Sequence, residues 1–357
     1  MSEQGSFGNP EIVEISTDIL IVGGGMASCG TAYEARRWAG YDAKIILVDK
    51  AALDRSGAVA QGLSAINTYL GENSEEDYCR MVSADLMGIT RDDLVFDVGR
   101  HVDDSVHLFE EWGLPIWKDK ETEGVPLADG GKPVRSGRWQ IMINGEGYKT
   151  IVGESAKKAL GMDAIYERVF IIKLLLDANE ENRVAGAVGV SVRENKIYIF
   201  KANATVIAAG GAVNVFRPRS IGEGMGRAWY PVWNAGSTYA MAIEAGAEMT
   251  MMENRFVPAR FKDGYGPVGA WFLLFKSQAT NAFGEVYMQR NKDMLNDYPP
   301  YGQAAVPASC LRNHLMLKEM KDGRGPIWMD TVTALAKLRE TLSPREVKHL
   351  EAEAWED

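Results

Sequence analysis

Residues 18–49 read DILIVGGGMASCGTAYEARRWAGYDAKIILVD, and this stretch decides the fold. The apolar run 18–22 has the length of a short buried strand, and three glycines follow it at once. The period then changes to that of a helix rich in alanine and other small residues. A second apolar run, Lys44 to Val48, ends in Asp49. Strand, tight turn, helix and strand in about thirty residues make a βαβ opening. In such a unit Gly23 permits the turn, Gly25 lets backbone approach a pyrophosphate, and the helix N-terminus offers free N–H groups and a positive dipole end. Gly24, Met26 and Ala27 belong to the same turn. The third glycine of the dinucleotide fingerprint falls on Ser28, which is still small enough for close helix-to-strand packing. Asp49 lies 26 residues after Gly23, where a carboxylate accepts hydrogen bonds from ribose hydroxyls and repels a 2′-phosphate. The plainer reading makes the glycines a tight turn in a packed α/β domain and Asp49 a solvated strand end.

That unit does not separate NAD from FAD. The later segment ATVIAAGG, residues 204–211, does. An apolar strand that ends in small residues, Ala209 and Gly210 among them, is the second nucleotide-side signature of flavoproteins with the glutathione-reductase-like fold. The expected class is therefore α/β: a Rossmann-type FAD-binding domain with an α+β capping domain. Strand signals at IYERVFIIKLLLD and RVAGAVGVSVRENKIYIFK read as a small meander between the two nucleotide segments. A boundary near residue 256 gives a FAD-binding domain over 1–256 and a capping domain over 257–357.

Bulk properties narrow the function classes. A net charge of −10 argues against a nucleic-acid or anionic-membrane surface, while a small anionic substrate remains open to local basic residues. No apolar run reaches bilayer-spanning length. Three cysteines, Cys29, Cys79 and Cys310, lie too far apart for a disulfide framework or an iron–sulfur site, and the four histidines lack metal spacing. These features point to the cytoplasm and to no metal in this chain. The end, REVKHLEAEAWED, stops inside a helical period without a capping glycine or proline, so a fragment is expected.

The segments ILIVGGGMASCG, VDKAALDRSGAVAQGLSAINT, RVFIIKLL, VIAAGGA, GEGMGRAW and AGAEMTMMENRFVPARF together resemble the flavoproteins related to fumarate reductase and succinate dehydrogenase. Within them the sequence is most similar to the adenylylsulfate reductase α subunits, over essentially the whole chain. The resemblance implies FAD-dependent reduction of adenylylsulfate to AMP and sulfite, or the reverse. It also implies electrons delivered by a ferredoxin-like iron–sulfur β subunit. Where the fumarate branch has Ser-His-Thr, with the histidine bonded to flavin, this chain has Ser56-Gly57-Ala58, which implies non-covalent FAD. Gly222-Glu223-Gly224 replaces Gly-Asp-Gly, and Phe256-Val257-Pro258-Ala259-Arg260 replaces the dicarboxylate-binding His-Pro-Thr segment.

Carried over by resemblance, the flavin contacts fall on Lys50, Ser56, Gly57, Ala58, Gln61, Ser64, Val169 and Glu223, besides the glycine turn and Asp49. Asn67, Trp229, Arg260, Leu273 and Arg312 would line the substrate site. Arg260 would offer bidentate donors to sulfate oxygens, Asn67 an amide donor, and Trp229 a wall. Leu273 and Arg312 would clamp adenine, the arginine by stacking. Taken singly, Trp229 reads as core, the two arginines as surface residues and Asn67 as a turn residue. A substrate histidine and a closing flavin segment are expected beyond Asp357. The alternatives are a fumarate reductase, succinate dehydrogenase or aspartate oxidase of the same fold, and an inactive nucleotide-binding or assembly module.

Overall fold

The computed structural model describes residues 8–61, 65–69, 73–114, 116, 118–119, 132–133, 139–143, 147–212, 234–254, 259, 261, 268–273, 275–304, 307–344 and 347–348. Two compact units divide the chain: Met1–Leu63, Phe109–Pro115 and Ile143–Met249 form one, and Ser64–Leu108, Ile116–Met142 and Thr250–Asp357 the other. The boundary expected at 256 lies near the last of these crossings, and two earlier stretches also belong to the second unit.

The first unit is built from β1 (Glu11–Val22), α1 (Met26–Ala39), β2 (Ile45–Asp49), α2 (Tyr148–Leu160), β3 (Ile165–Glu167), β4 (Val169–Leu176), β5 (Val184–Ser191) and β6 (Lys196–Ile207). Its six strands are ordered β3-β2-β1-β6-β5-β4. The first four run parallel, with Ile19 opposite Ile45, Leu47 opposite Ile165 and Val22 opposite Ile207. β6, β5 and β4 then pair antiparallel as the expected meander. Leu20, Ile21 and residues 45–48 are all but fully buried, which explains why these strands read as continuous apolar runs without alternation. Leu20, Val22, Ile46 and Val48 share a core with Val169, Ile171, Phe200 and Met241. Burying each such side chain contributes about 1.5–3 kcal/mol. α1 packs on α2. Arg36 ties its C-terminal end down by donating to the carbonyls of Ala159, Gly40 and Ala43.

In the second unit, the strand Ala65–Asn67 pairs antiparallel with Gln140–Met142. The helix Glu75–Asp85 opens with a capping box between Ser74 and Asp77. Trp139 packs edge to face on Tyr69 and Tyr78 beside Val102. The helix Ser309–Lys321 buries Leu311, Leu315 and Glu319 at four-residue spacing. Leu311 and Leu315 join a cluster with Ala279, Tyr287, Leu295 and Ala308.

Candidate dinucleotide site and substrate residues

Three strand ends meet at the glycine turn. The Gly23 N–H donates to the Val48 carbonyl at 2.8 Å, and the Ala208 N–H donates to the Val22 carbonyl at 2.8 Å. The carboxyl ends of β2, β1 and β6 are thereby held side by side, where parallel α/β sheets place ligands. Gly23 has φ +118°, and a Cβ there would stand 2.4 Å from the Ala208 oxygen. No other residue type fits that turn. Ser28 occupies the third-glycine position, buried, and its hydroxyl donates to the Ala208 carbonyl at 3.0 Å. Serine thus replaces glycine with a bond that ties α1 to the end of β6.

Asp49 is 6% exposed, so it is not a solvated strand end, and the plainer reading of this residue fails. The Ser56 hydroxyl and the N–H groups of Ala51 and Lys50 lie beside the carboxylate and favour its charged form. Oδ2 is buried with no partner among the described residues. Burial pushes the carboxyl above its ordinary range; those donors and the nearby Lys149 charge oppose the shift without cancelling it. The carboxylate lies against Gly24, where a Cβ would come within 2.4 Å of Oδ2. A buried acceptor without a donor costs free energy unless a ligand supplies one.

Gly57, with φ +84°, crosses the turn so closely that a Cβ on it would sit 2.7 Å from the Gly25 Cα. The two glycine segments therefore meet backbone against backbone. α1 begins after Gly25 with no side-chain cap and no acid in its first turn, leaving its first N–H groups to an incoming anion. Met26 and Ala27 are exposed beside them. Gly210, with φ +85°, closes the far side next to Asn234, whose Oδ1 is likewise buried without a partner among the described residues. These two orphaned acceptors and the side-chain-free cradle fit the adenosine and pyrophosphate half of a dinucleotide.

The other expected cofactor residues are placed as follows. Lys50 is half-buried with its ammonium 5.3 Å from the Phe170 ring centre, and burial lowers its pKa against the pull of Asp49. Ala58 and Gln61 bound a short 3-10 turn. Val169 begins β4 with its side chain in the core, and Ala209 is partly buried beside Gly210. Ser64 and Glu223 lie outside the described residues.

Among the expected substrate residues, Trp229 and Arg260 also lie outside the described residues. Leu273 ends the short helix Gly269–Leu273. Asn67 is exposed, and its Oδ1 accepts from the Tyr78 hydroxyl at 3.0 Å. That bond leaves the amide NH2 group as the side chain's outward donor. Arg312 is 8% exposed, stacks 5.4 Å over the Phe272 ring and donates to Ser309 at 2.9 Å. Its Nε is buried with no partner among the described residues.

Sequence reasoning missed Lys149, Tyr78 and Asn234. Lys149 is 4% exposed and donates to the Gly24 carbonyl at 2.6 Å. A signal was available for it: Lys149 stands in the first turn of a helix, where the dipole disfavours a cation. Tyr78 and Asn234 carried none, because their roles depend on long-range packing.

Residues 18–265 match the family model described as FAD binding domain. The chain is 67% identical to adenylylsulfate reductase subunit alpha of Megalodesulfovibrio gigas, over 98% of this chain and 55% of that protein. The solved structure of adenylylsulfate reductase from the hyperthermophilic Archaeoglobus fulgidus aligns with a TM-score of 0.89 and 54% identity, covering 98% of this chain and 54% of that one. Quinol fumarate reductase FrdA of E. coli shares the fold, with a TM-score of 0.62 at 21% identity, over 87% of this chain and 52% of that one. The chain spans about half the length of the relatives it matches.

Proposed function

Because this chain belongs to the FAD-binding domain family, we propose that it forms the flavin-carrying part of an adenylylsulfate reductase α subunit. The reaction is the two-electron interconversion of adenylylsulfate with AMP and sulfite. The observation that carries this reading is 67% identity across nearly the whole chain with a protein of that name, together with the orphaned Asp49 oxygen in a side-chain-free cradle. Bound FAD supplies the electron transfer itself.

The chain's own residues bind and orient. Asp49 would take the ribose hydroxyls on Oδ2, beside the Ser56 hydroxyl and the Ala51 and Lys50 N–H groups. The turn Gly23–Gly24–Gly25 and the start of α1 take the pyrophosphate on backbone N–H groups. Ser56-Gly57-Ala58 favours non-covalent flavin, because the backbone at Gly57 leaves no room for a side chain. The Asn67 amide, oriented by Tyr78, donates to sulfate oxygens. Arg260 supplies the main positive charge there and Trp229 the wall. Leu273 and Arg312 hold the adenine, with the Arg312 Nε as a spare donor.

Electrons reach the flavin from a ferredoxin-like iron–sulfur β subunit, and the enzyme works in the cytoplasm. Among the described residues, no helix is long and apolar enough to cross a membrane. The test is turnover by the full-length protein with its β subunit. Sulfite-dependent AMP consumption and adenylylsulfate reduction are expected, and reduction of fumarate in their place would overturn the reading.

A further inference from the structure

Lys149 presents an unusual combination. It is 4% exposed, it stands in the first turn of α2 where the helix dipole opposes a cation, and a buried ammonium is costly to desolvate. Its Nζ points into the packing of α1 on α2, donating to the Gly24 carbonyl at 2.6 Å and lying 3.6 Å from the Cys29 sulfur. Cys29 itself lies 3.8 Å from the same carbonyl. Burial pushes the Cys29 thiol up, so it remains neutral and does not offset the Lys149 charge.

A trans peptide is planar, and its N–H points opposite to its C=O. Anchoring the Gly24 oxygen between the two helices therefore turns the Gly25 N–H away from them. The Cys29 thiol is only a weak second donor to this oxygen, so Lys149 supplies the strong side-chain hydrogen bond on this peptide. A charged donor on a backbone carbonyl is about twice as strong as a neutral one.

We propose that Lys149 is the positioning residue of the pyrophosphate turn: its bond to the Gly24 carbonyl holds the Gly24–Gly25 peptide with the Gly25 N–H facing outward to receive an anion. The proposal rests on the FAD reading and adds to it a residue from a distant helix that acts through backbone. The ammonium also places a positive charge against the turn. Asp49 feels the same charge, which ties the ribose and pyrophosphate halves of the cradle to one side chain.

The experiment uses the full-length protein stripped of flavin and measures affinity for FAD by fluorescence quenching and for ADP by competition. Lys149→Met keeps the length and removes the donor. It should weaken FAD and ADP by the same factor, about tenfold to a hundredfold. The flavin-free protein should melt at or above the wild-type temperature, because an apolar group replaces a buried charge. Lys149→Arg should restore affinity to within about threefold of wild type. FAD affinity of the methionine variant within about threefold of wild type overturns the proposal. So does a parallel fall of affinity and flavin-free melting temperature that arginine does not rescue, since that marks a purely structural lysine. Failure of the wild-type protein to bind FAD would instead remove the FAD reading itself, whatever the variants do.

Discussion

Replacing Asp49 by asparagine separates the carboxylate's burden on the ligand-free fold from its service to the cofactor. In the fold Ser56, Ala51 and Lys50 offer donors beside its carboxylate, while Oδ2 is buried and unmatched among the described residues. The folded pKa lies above the unfolded value near 3.8. A carboxyl raised in this way contributes stability that is fully present below the unfolded pKa and is lost as the pH rises through the folded one. At neutral pH the ionised Asp49 is therefore a net cost to the ligand-free protein. An asparagine can turn its oxygen to the three donors and place its NH2 where Oδ2 stood. Asp49→Asn should thus melt no lower than wild type without flavin at pH 7. With FAD the ribose hydroxyls lose a charged acceptor; hydrogen bonds to charged groups are worth about 1.5–3 kcal/mol, so one or two lost bonds give about 3 kcal/mol, or roughly a hundredfold in affinity. Calorimetric titration of FAD and paired melting curves measure both quantities. Unchanged FAD affinity, or a lower flavin-free melting temperature, would refute the assignment of the orphaned oxygen to the ribose.

Gly57→Ala should be more damaging than its size suggests. A left-handed alanine costs about 1–2 kcal/mol, and its Cβ would meet the Gly25 Cα at 2.7 Å, a backbone contact that no rotamer relieves; a FAD affinity within threefold of wild type would count against the cradle. Glu319 predicts an acid-sensitive second unit. Burial would raise its carboxyl, but Asn291, Asn281 and Arg324 outweigh burial and bring it to about 2. Its contribution is present above the unfolded value near 4.5 and lost as pH falls toward 2. Glu319→Gln should flatten the melting-temperature profile over that window, and an unaltered profile would contradict the network's role. Tyr78→Phe in the full-length enzyme releases the Asn67 amide, and an unstrained neutral hydrogen bond of about 0.5–1.5 kcal/mol predicts a KM for adenylylsulfate raised about two- to tenfold. A KM unchanged within error would show that Asn67 needs no such orientation.

The parallel half of the sheet was legible because its signals are local. Continuous apolar runs at 18–22 and 45–48 can be satisfied only by burial on both faces, and the intervening glycines admit only a tight turn. Asp49 was found by spacing, and its burial could not be read because it depends on Ser56 and on the Gly24 backbone closing over it. Lys149 was missed because it reaches the turn from 125 residues away, through a helix that precedes the meander. The interleaving of the two units was hidden for the same reason: composition changes gradually along the chain, whereas spatial contacts alternate between the units at 64, 109, 116, 143 and 250.

Position 57 joins cofactor attachment to backbone conformation. A histidine able to bond flavin would need to adopt φ near +84°, a region side chains rarely enter, with its Cβ against the Gly25 Cα. The segment 56–58 would have to move away from the turn to admit it. Moving it would also draw the Ser56 hydroxyl away from Asp49, whose charged form that hydroxyl favours. A single glycine thus permits the close approach that sets Ser56 beside Asp49, and the same approach leaves no room for a side chain at this position. The turn, the acid and the unattached flavin are therefore one structural choice, and a substitution at 57 should disturb FAD affinity through Asp49 as well as through the pyrophosphate turn.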